Sequence, residues 1–323
     1  TPVENRLIEL WSIMDFLNAG FLGWIGTFRT HFAVPIERDG SDRRAAILRK
    51  ITRPFILRRL KSDRSIIRDL PEKNEMKVFC NLTAEQAALY QAVVDQMFTR
   101  IGGEDESSFE HKGLILSALV KLKQITNHPV HFLSDGSEFS SARSGKLQRL
   151  EEMMQVVLDE GDKALIFTQF AQLGKRLHEK LAHKFGVEVL YLHGGTPQRQ
   201  REQLINKFQT RHGPPIFLLS LKAGGLGLNL TEANHVFHYD RWWNPAVEDQ
   251  ATDRAFRIGQ TKAVQVHKYI CVGTVEEKID RMIDNKRQLA DNIITPGENL
   301  ITNLSLTELR DAFMLSRDAV SEQ

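Results

Sequence analysis

Lys163-Ala-Leu-Ile-Phe-Thr-Gln-Phe170 holds a short apolar run, Ala164 to Phe167, that turns polar at Thr168 and Gln169. An apolar run this short between polar flanks reads as a buried strand. Runs of the same kind recur at residues 187–192, in Ile216-Phe-Leu-Leu-Ser220, in Val236-Phe-His-Tyr239 and at residues 264–270. Between and around them lie longer amphipathic segments at 147–160, 173–185, 198–209 and 247–258, which predict helices. Strand–helix alternation of this sort predicts an α/β fold, a parallel sheet with helices on both faces. Ligands of such sheets bind beyond the carboxyl ends of the strands, so the residues where these runs stop are the first candidates for function.

The bulk numbers describe an ordinary globular chain. It has 323 residues, 41% hydrophobic and 26% charged, with a net charge of +2, enough for two packed units. The near-zero balance hides a basic run. Arg43, Arg44, Arg49, Lys50, Arg53, Arg58, Arg59, Lys61, Arg64 and Arg68 are opposed there by Asp63 alone. Such a run suits a polyanion, and equally a solvated helix face. Two distant cysteines, Cys80 and Cys271, make neither a disulfide framework nor a zinc pattern, so reduced, intracellular surroundings are expected. His235 and His238 straddle a strand without further ligands, so no metal site is expected. No apolar run approaches the roughly 20 residues of a membrane span. The chain opens on Thr1 rather than methionine, as expected of a piece of a longer protein.

Several stretches carry chemistry. Thr168 and Gln169 emerge where a strand runs out, uncharged donors within reach of a phosphate backbone; strand-end capping is the plainer reading. His193-Gly-Gly-Thr196 follows a strand and precedes a helix. Gly194 and Gly195 let backbone amides approach a phosphate, while Thr196 is placed to cap the helix beginning at Pro197. Ser220-Leu-Lys-Ala-Gly-Gly-Leu-Gly-Leu-Asn-Leu230 is glycine-rich, yet Gly227 is followed by Leu228. The loop therefore lacks the Gly-Lys-Ser/Thr of a phosphate-binding Walker loop, and no such triplet occurs anywhere in the chain. In Tyr239-Asp-Arg-Trp-Trp-Asn-Pro245 the adjacent tryptophans face opposite ways if extended, one into the core and one outward.

Asp249-Gln-Ala-Thr-Asp-Arg-Ala-Phe-Arg-Ile-Gly-Gln260 reads as a helix ending at Gly259. Gln250, Arg254 and Arg257 then form one polar stripe aimed outward, and Val247, Ala251, Ala255 and Ile258 an apolar stripe against the sheet. Two guanidiniums a turn apart make a fork for a polyphosphate; a surface helix laced with salt bridges to Asp249 and Asp253 is the alternative.

Gln250-x-x-x-Arg254-x-x-Arg257-Ile-Gly-Gln260 resembles the sixth motif of superfamily-two helicases, in the form of the SWI/SNF-type double-stranded-DNA translocases. Other segments resemble the same family in the same order. They are Thr1-Pro-Val-Glu-Asn5 with Glu9-Leu-Trp-Ser12, Arg53 to Asp63, Leu70-Pro-Glu-Lys73, Leu122-Lys-Gln-Ile-Thr-Asn-His-Pro129, Thr168–Gln169, His193 to Thr196, the glycine-rich loop, and Trp243 before Asn-Pro. The resemblance covers residues 1–294.

It implies a RecA-like second motor lobe at residues 145–273. Ahead of it would come the end of lobe one with a basic connection (1–72), then a helical protrusion and polar linker (73–144). After it would come a long brace helix from Val275 and a fraying tail (274–323). It implies that Arg254 and Arg257 act as arginine fingers on ATP with Mg2+. Gln250 and Gly227 would lie beside that nucleotide, held mainly by a first lobe elsewhere. The DNA contacts would be Thr168, Gln169, Gly194, Gly195, Ser220, Lys222 and Trp243. The chain carries no Asp-Glu-x-His magnesium box, so alone it should hydrolyse ATP poorly. His128 reads as a helix-end hydrogen-bond partner. The Arg-Trp-Trp form is closer to prokaryotic members, implying a cytoplasmic protein, or a nuclear one in a eukaryote. The rivals are a catalytically silent binding module and an RNA helicase lobe, the latter disfavoured by the 122–129 signature.

Overall fold

The computed structural model describes residues 6–56, 70–101, 109–221, 228–242, 245–289 and 306–320. Its centre is a six-stranded sheet in the order β1-β6-β5-β2-β4-β3, every pair parallel. The strands are β1 (Lys73–Cys80), β2 (Ala164–Thr168), β3 (Val189–Leu192), β4 (Ile216–Ser220), β5 (His235–His238) and β6 (Val264–Cys271). Five match the apolar runs. The sixth, β1, was not expected, and it draws part of the supposed protrusion into the sheet. Its sequence is polar because it is an edge strand, exposed from Lys73 to Lys77. Val78 and Cys80 are buried at its far end, and charges hold the exposed part: Lys268 Nζ reaches Glu75 Oε2 at 2.7 Å, and Lys77 Nζ reaches Asp280 at 2.5 Å. Burial alone would raise the Glu75 pKa, but Lys268 and Lys73 pull it down to about 2.

In chain order the helices are α1 (Leu7–Leu17), α2 (Ile25–Phe28), α3 (Val34–Glu37), α4 (Asp42–Thr52), α5 (Ala84–Ile101), α6 (Phe109–Asn127), α7 (Pro129–Leu133), α8 (Gly145–Asp159), α9 (Ala171–Phe185), α10 (Gln198–Phe208), α11 (Pro245–Thr252), α12 (Val275–Leu289) and α13 (Leu306–Phe313). The chain divides into two compact units: Thr1–Arg68 with Asn285–Ile301, and Asp69–Asp284 with Thr302–Gln323.

The first unit is helical. Leu10, Met14, Phe28, Ile36 and Leu48 form its core. Leu17, the last residue of α1, is 65% exposed. The basic residues Arg43, Arg44 and Lys50 lie on the exposed side of α4, while the basic residues from Arg58 to Arg68 fall outside the described residues.

The second unit holds the sheet. Leu165, Phe167, Phe217, Leu219 and Val236 pack from the strands against Ala251, Ala255 and Phe256. The polar linker ahead of residue 145 is tied down at Arg143, which grips Glu85 with Nε–Oε2 at 2.9 Å and Nη2–Oε1 at 2.6 Å. The tail was expected to fray. Over 306–320 it packs: Phe313 is fully buried, Leu82 N donates to Ala319 O at 2.7 Å and Ser316 N to Gly273 O at 3.0 Å. Four apolar side chains, Leu309, Ala312, Phe313 and Ala319, leave water there, which is reason enough for order.

Candidate functional site

Thr168 and Ser220 are neighbours in register at the carboxyl ends of β2 and β4. The turn from β2 into α9, and the residues after β5, open from the same edge of the sheet. Asp240 sits among them, fully buried. Its carboxylate accepts from Thr168 Oγ1 at 2.5 Å, from Gln169 N at 3.0 Å and from Asn127 Nδ2 at 3.4 Å. Burial pushes the Asp240 pKa up, against the pull of those donors and of Lys123 and Lys146. The Thr168 hydroxyl also accepts from Phe170 N at 3.2 Å. Thr168 is thus a buried capping residue and offers nothing outward. The strand-end reading describes its side chain, because hydroxyl and carboxylate pair where the strand stops. Gln169 is half-buried, and among the described residues its Nε2 is enclosed with no partner.

Asn127, at the end of the 122–129 signature, links the helical segment to this turn. Its carbonyl accepts from Ser144 Oγ at 2.7 Å and Tyr239 OH at 3.1 Å, and its Oδ1 from Lys146 Nζ at 3.1 Å. Lys146 also pairs with Glu276 at 2.7 Å, both fully buried. Burial opposes charge on each, yet the pair wins: the Lys146 pKa goes up and that of Glu276 down. Lys123 donates to Arg241 O at 2.7 Å, and burial pushes its pKa down to about 7. Sequence reasoning passed over Asp240, Lys123, Lys146 and Glu276. For Lys123 the signal was a charge between Leu122 and Ile125 in a largely apolar helix pattern; Lys146 and Glu276 lie among polar neighbours and carried no such signal. His128 behaves as expected: its Nδ1 accepts from Val130 N at 3.2 Å, capping α7.

The His193 turn differs in detail. Thr196 does not cap a helix starting at Pro197. Its Oγ1 accepts from His193 N at 3.1 Å, closing the turn on itself, and α10 starts at Gln198. Gly195 N donates to His193 Nδ1 at 3.1 Å, and Arg201 Nη2 holds Gly194 O at 3.0 Å. Both glycines are exposed.

The arginine stretch departs most from expectation. Helix α11 ends at Thr252, so Gln250, Arg254 and Arg257 do not form one helical stripe. One backbone acceptor of a continuing helix, Arg254 O, is taken by a tertiary donor, and side chains of the segment are tied to neighbouring strands and turns. His238 Nε2 meets Thr252 Oγ1 at 2.8 Å, Leu230 N donates to Arg254 O at 2.9 Å, and Gln260 Nε2 donates to Ala233 O at 2.7 Å. The bend sends Phe256 into the core and leaves Ile258 72% exposed. Gly259 has φ +102°, a backbone that favours glycine, but beyond the helix end. Arg254 is 4% exposed rather than aimed outward. Arg257 is half-buried, and its Nη1 donates to Leu228 O at 3.2 Å. Both arginines are therefore fastened to residues 228–230, the last of the glycine-rich stretch. Ser220 is buried at the end of β4. Lys222, Gly227 and Trp243 lie outside the described residues; Trp242 packs against the core.

At the opposite, amino-terminal edge of the strands, Glu160 and Asp162 approach His235, ligand types the sequence did not place there. Asp162 already accepts from Asn234 Nδ2 at 2.6 Å and pairs with Lys262, and His235 Nδ1 lies 3.2 Å from His267 Nε2.

Residues 145–259 match the helicase conserved C-terminal domain, and residues 1–131 the SNF2-related domain. The chain is 48% identical over 99% of its length to a putative ATP-dependent helicase/translocase of Bacillus subtilis, of which it covers 34%. It is 37% identical over 86% of its length to the mouse DNA excision repair protein ERCC-6, covering 20% of that protein. Thus it spans about a third or less of these curated relatives. Among solved structures, the Sulfolobus solfataricus SWI2/SNF2 ATPase core in complex with dsDNA aligns with TM-score 0.68 at 48% identity, over 98% of this chain and 66% of that one. The C-terminal domain of the Sulfolobus ATPase aligns with TM-score 0.65 at 44% identity, over 76% of this chain and all of that one. The RecA-like parallel sheet, its motif turns gathered at one edge, and these likenesses place the chain in the SWI2/SNF2 ATPase family.

Proposed function

We propose that this chain provides the second motor lobe of an ATP-driven translocase on double-stranded DNA. In this reading Arg254 and Arg257 stabilise charge on a phosphoryl group, with Gln250 and Gly227 beside the nucleotide. Gln169, Gly194, Gly195, Ser220, Lys222 and Trp243 hold the duplex, and Thr168 shapes the turn from beneath. The guanidiniums suit the first role because they stay charged at any working pH and present a fixed fork of donors. ATP with Mg2+ supplies the transferable phosphoryl group. The triphosphate and metal need residues this sequence does not carry, a Gly-Lys-Ser/Thr loop and an Asp-Glu-x-His box, so the first RecA-like lobe is the expected partner. The likeness to an ATPase core solved with double-stranded DNA supports duplex as the other partner.

One observation carries the proposal. The arginine segment is fastened to residues 228–230 by Leu230 N to Arg254 O and Arg257 Nη1 to Leu228 O. These two bonds join the described end of the glycine-rich stretch to the arginine segment, a route by which a shift at one would reach the other.

The test joins this chain to its first lobe and measures ATP turnover with and without duplex DNA. Duplex should stimulate turnover more than RNA does. Arg254→Ala or Arg257→Ala should lower the stimulated rate, by about 10³–10⁵ if each acts as an arginine finger. Unchanged turnover in both variants would instead support the silent binding module.

A further inference from the structure

Arg241 and Trp242 follow Asp240 just past β5, on the way into α11, and one carboxylate holds both. Glu248, in the first turn of α11, is fully buried. Its Oε1 accepts from Arg241 Nε at 2.9 Å and from Trp242 N at 2.8 Å. Its Oε2 is enclosed and has no partner among the described residues. The hydrogen bonding of this side chain therefore passes through one oxygen.

Arg241 is 7% exposed and has a second carboxylate, Asp280 of α12, against its Nη1. Asp280 is paired in addition with Lys77 at 2.5 Å. The two carboxylates do different work at the turn. Asp280 meets the guanidinium alone, and so neutralises a buried charge. Glu248 meets the guanidinium and also a main-chain N–H, and so fixes a peptide plane as well.

Residues given to the two ligands lie on either side of that contact. Before it, Asp240 accepts from Gln169 N at 3.0 Å, and Trp243 is the residue after Trp242. Beyond it, Gln250 follows Glu248 by two positions on the same helix, and the chain runs on to Arg254 and Arg257. A change in the reach of Glu248 would thus move the main chain of the DNA-side turn against the helix that leads into the arginine segment.

We propose that Glu248 is a positioning residue: through Oε1 it sets the main chain at Trp242, and with it the duplex contact that follows, against the helix that carries Gln250. The inference rests on the motor reading above and names within it a residue that touches neither ligand. What Glu248 supplies is an acceptor at a fixed reach. Its charge serves Arg241, which Asp280 also neutralises.

The experiment measures ATP turnover of the full-length protein, this chain with its first lobe, at saturating duplex and without duplex. Reach and charge are separated by three variants. Glu248→Asp keeps the charge and withdraws the oxygens by one methylene. Glu248→Gln gives up the charge and keeps an oxygen at the same reach, able to accept from both donors. Asp280→Asn takes one charge from Arg241 and leaves the bond to Trp242 N alone. Substitutions within a coupled contact change coupling by about 2- to 30-fold, so Glu248→Asp should lower the ratio of stimulated to unstimulated turnover by that much. Glu248→Gln and Asp280→Asn should keep the ratio within about 2-fold of the unaltered protein. An unfolded fraction lowers both rates alike and leaves the ratio where it was, so lost stability by itself does not imitate the effect. A cluster held by charge predicts the reverse order, with Glu248→Asp the mildest of the three. That order, or a ratio unchanged in all three variants, would overturn the inference and leave the motor reading standing. If duplex does not stimulate the unaltered protein, the DNA reading falls and the inference with it.

Discussion

Asp240 makes the buried turn testable by two substitutions that differ in one atom's chemistry. Asp240→Ala leaves the Thr168 hydroxyl and the Gln169 N–H, now at 2.5 and 3.0 Å from its oxygens, with no acceptor inside the protein. Each stranded buried donor costs about 1–3 kcal/mol, so the variant should lose about 2–6 kcal/mol. At about 2–4 °C per kcal/mol for a unit of this size, the melting temperature should fall by roughly 5–20 °C. Asp240→Asn should be milder. Its amide oxygen still accepts from Gln169 N and its amide nitrogen donates to Thr168 Oγ1, whose hydroxyl rotates to suit, but that nitrogen also meets Asn127 Nδ2 donor to donor. Burial already raises the Asp240 pKa, so removing the charge removes a desolvation cost that offsets part of this, and the net loss should stay at about 1–3 kcal/mol, below that of the alanine variant. The assay is urea denaturation of the three proteins side by side with thermal melts. If Asn destabilised as much as Ala, the carboxylate's charge rather than its acceptor oxygens would hold the turn, and the reasoning would fail.

Two further predictions follow from buried groups. Burial holds Lys123 at about 7, below its usual value of 10.5. Between about 7 and 10.5 the unfolded chain binds a proton that the folded chain does not, so this group makes stability rise with pH across that window. Lys123→Met should flatten the rise in stability curves taken at successive pH values; an unchanged profile would show that Lys123 does not titrate there. Phe313 is fully buried in the tail helix, so Phe313→Ala should cost about 3–5 kcal/mol in denaturant unfolding. A loss within about 0.5 kcal/mol would mean that the tail is dispensable to the second unit.

The sequence by itself determined the class of fold and the edge where function gathers. Five buried strands announced themselves because they are apolar on both faces, and the residues at which they stop are the ones found together. It did not disclose β1, because an edge strand is held by charges such as Glu75 and Lys77 and reads as surface. Nor could it end α11 at Thr252. Local spacing favours a helix through Ile258, and only the fold brings Leu230 N onto Arg254 O, the acceptor a further turn would have used, and His238 onto the Thr252 side chain. The same limit hid the role of Thr168, whose hydroxyl is spoken for by Asp240 seventy-two positions away. Periodicity records which side of an element meets water; which distant donor meets which acceptor is settled only when the chain is folded.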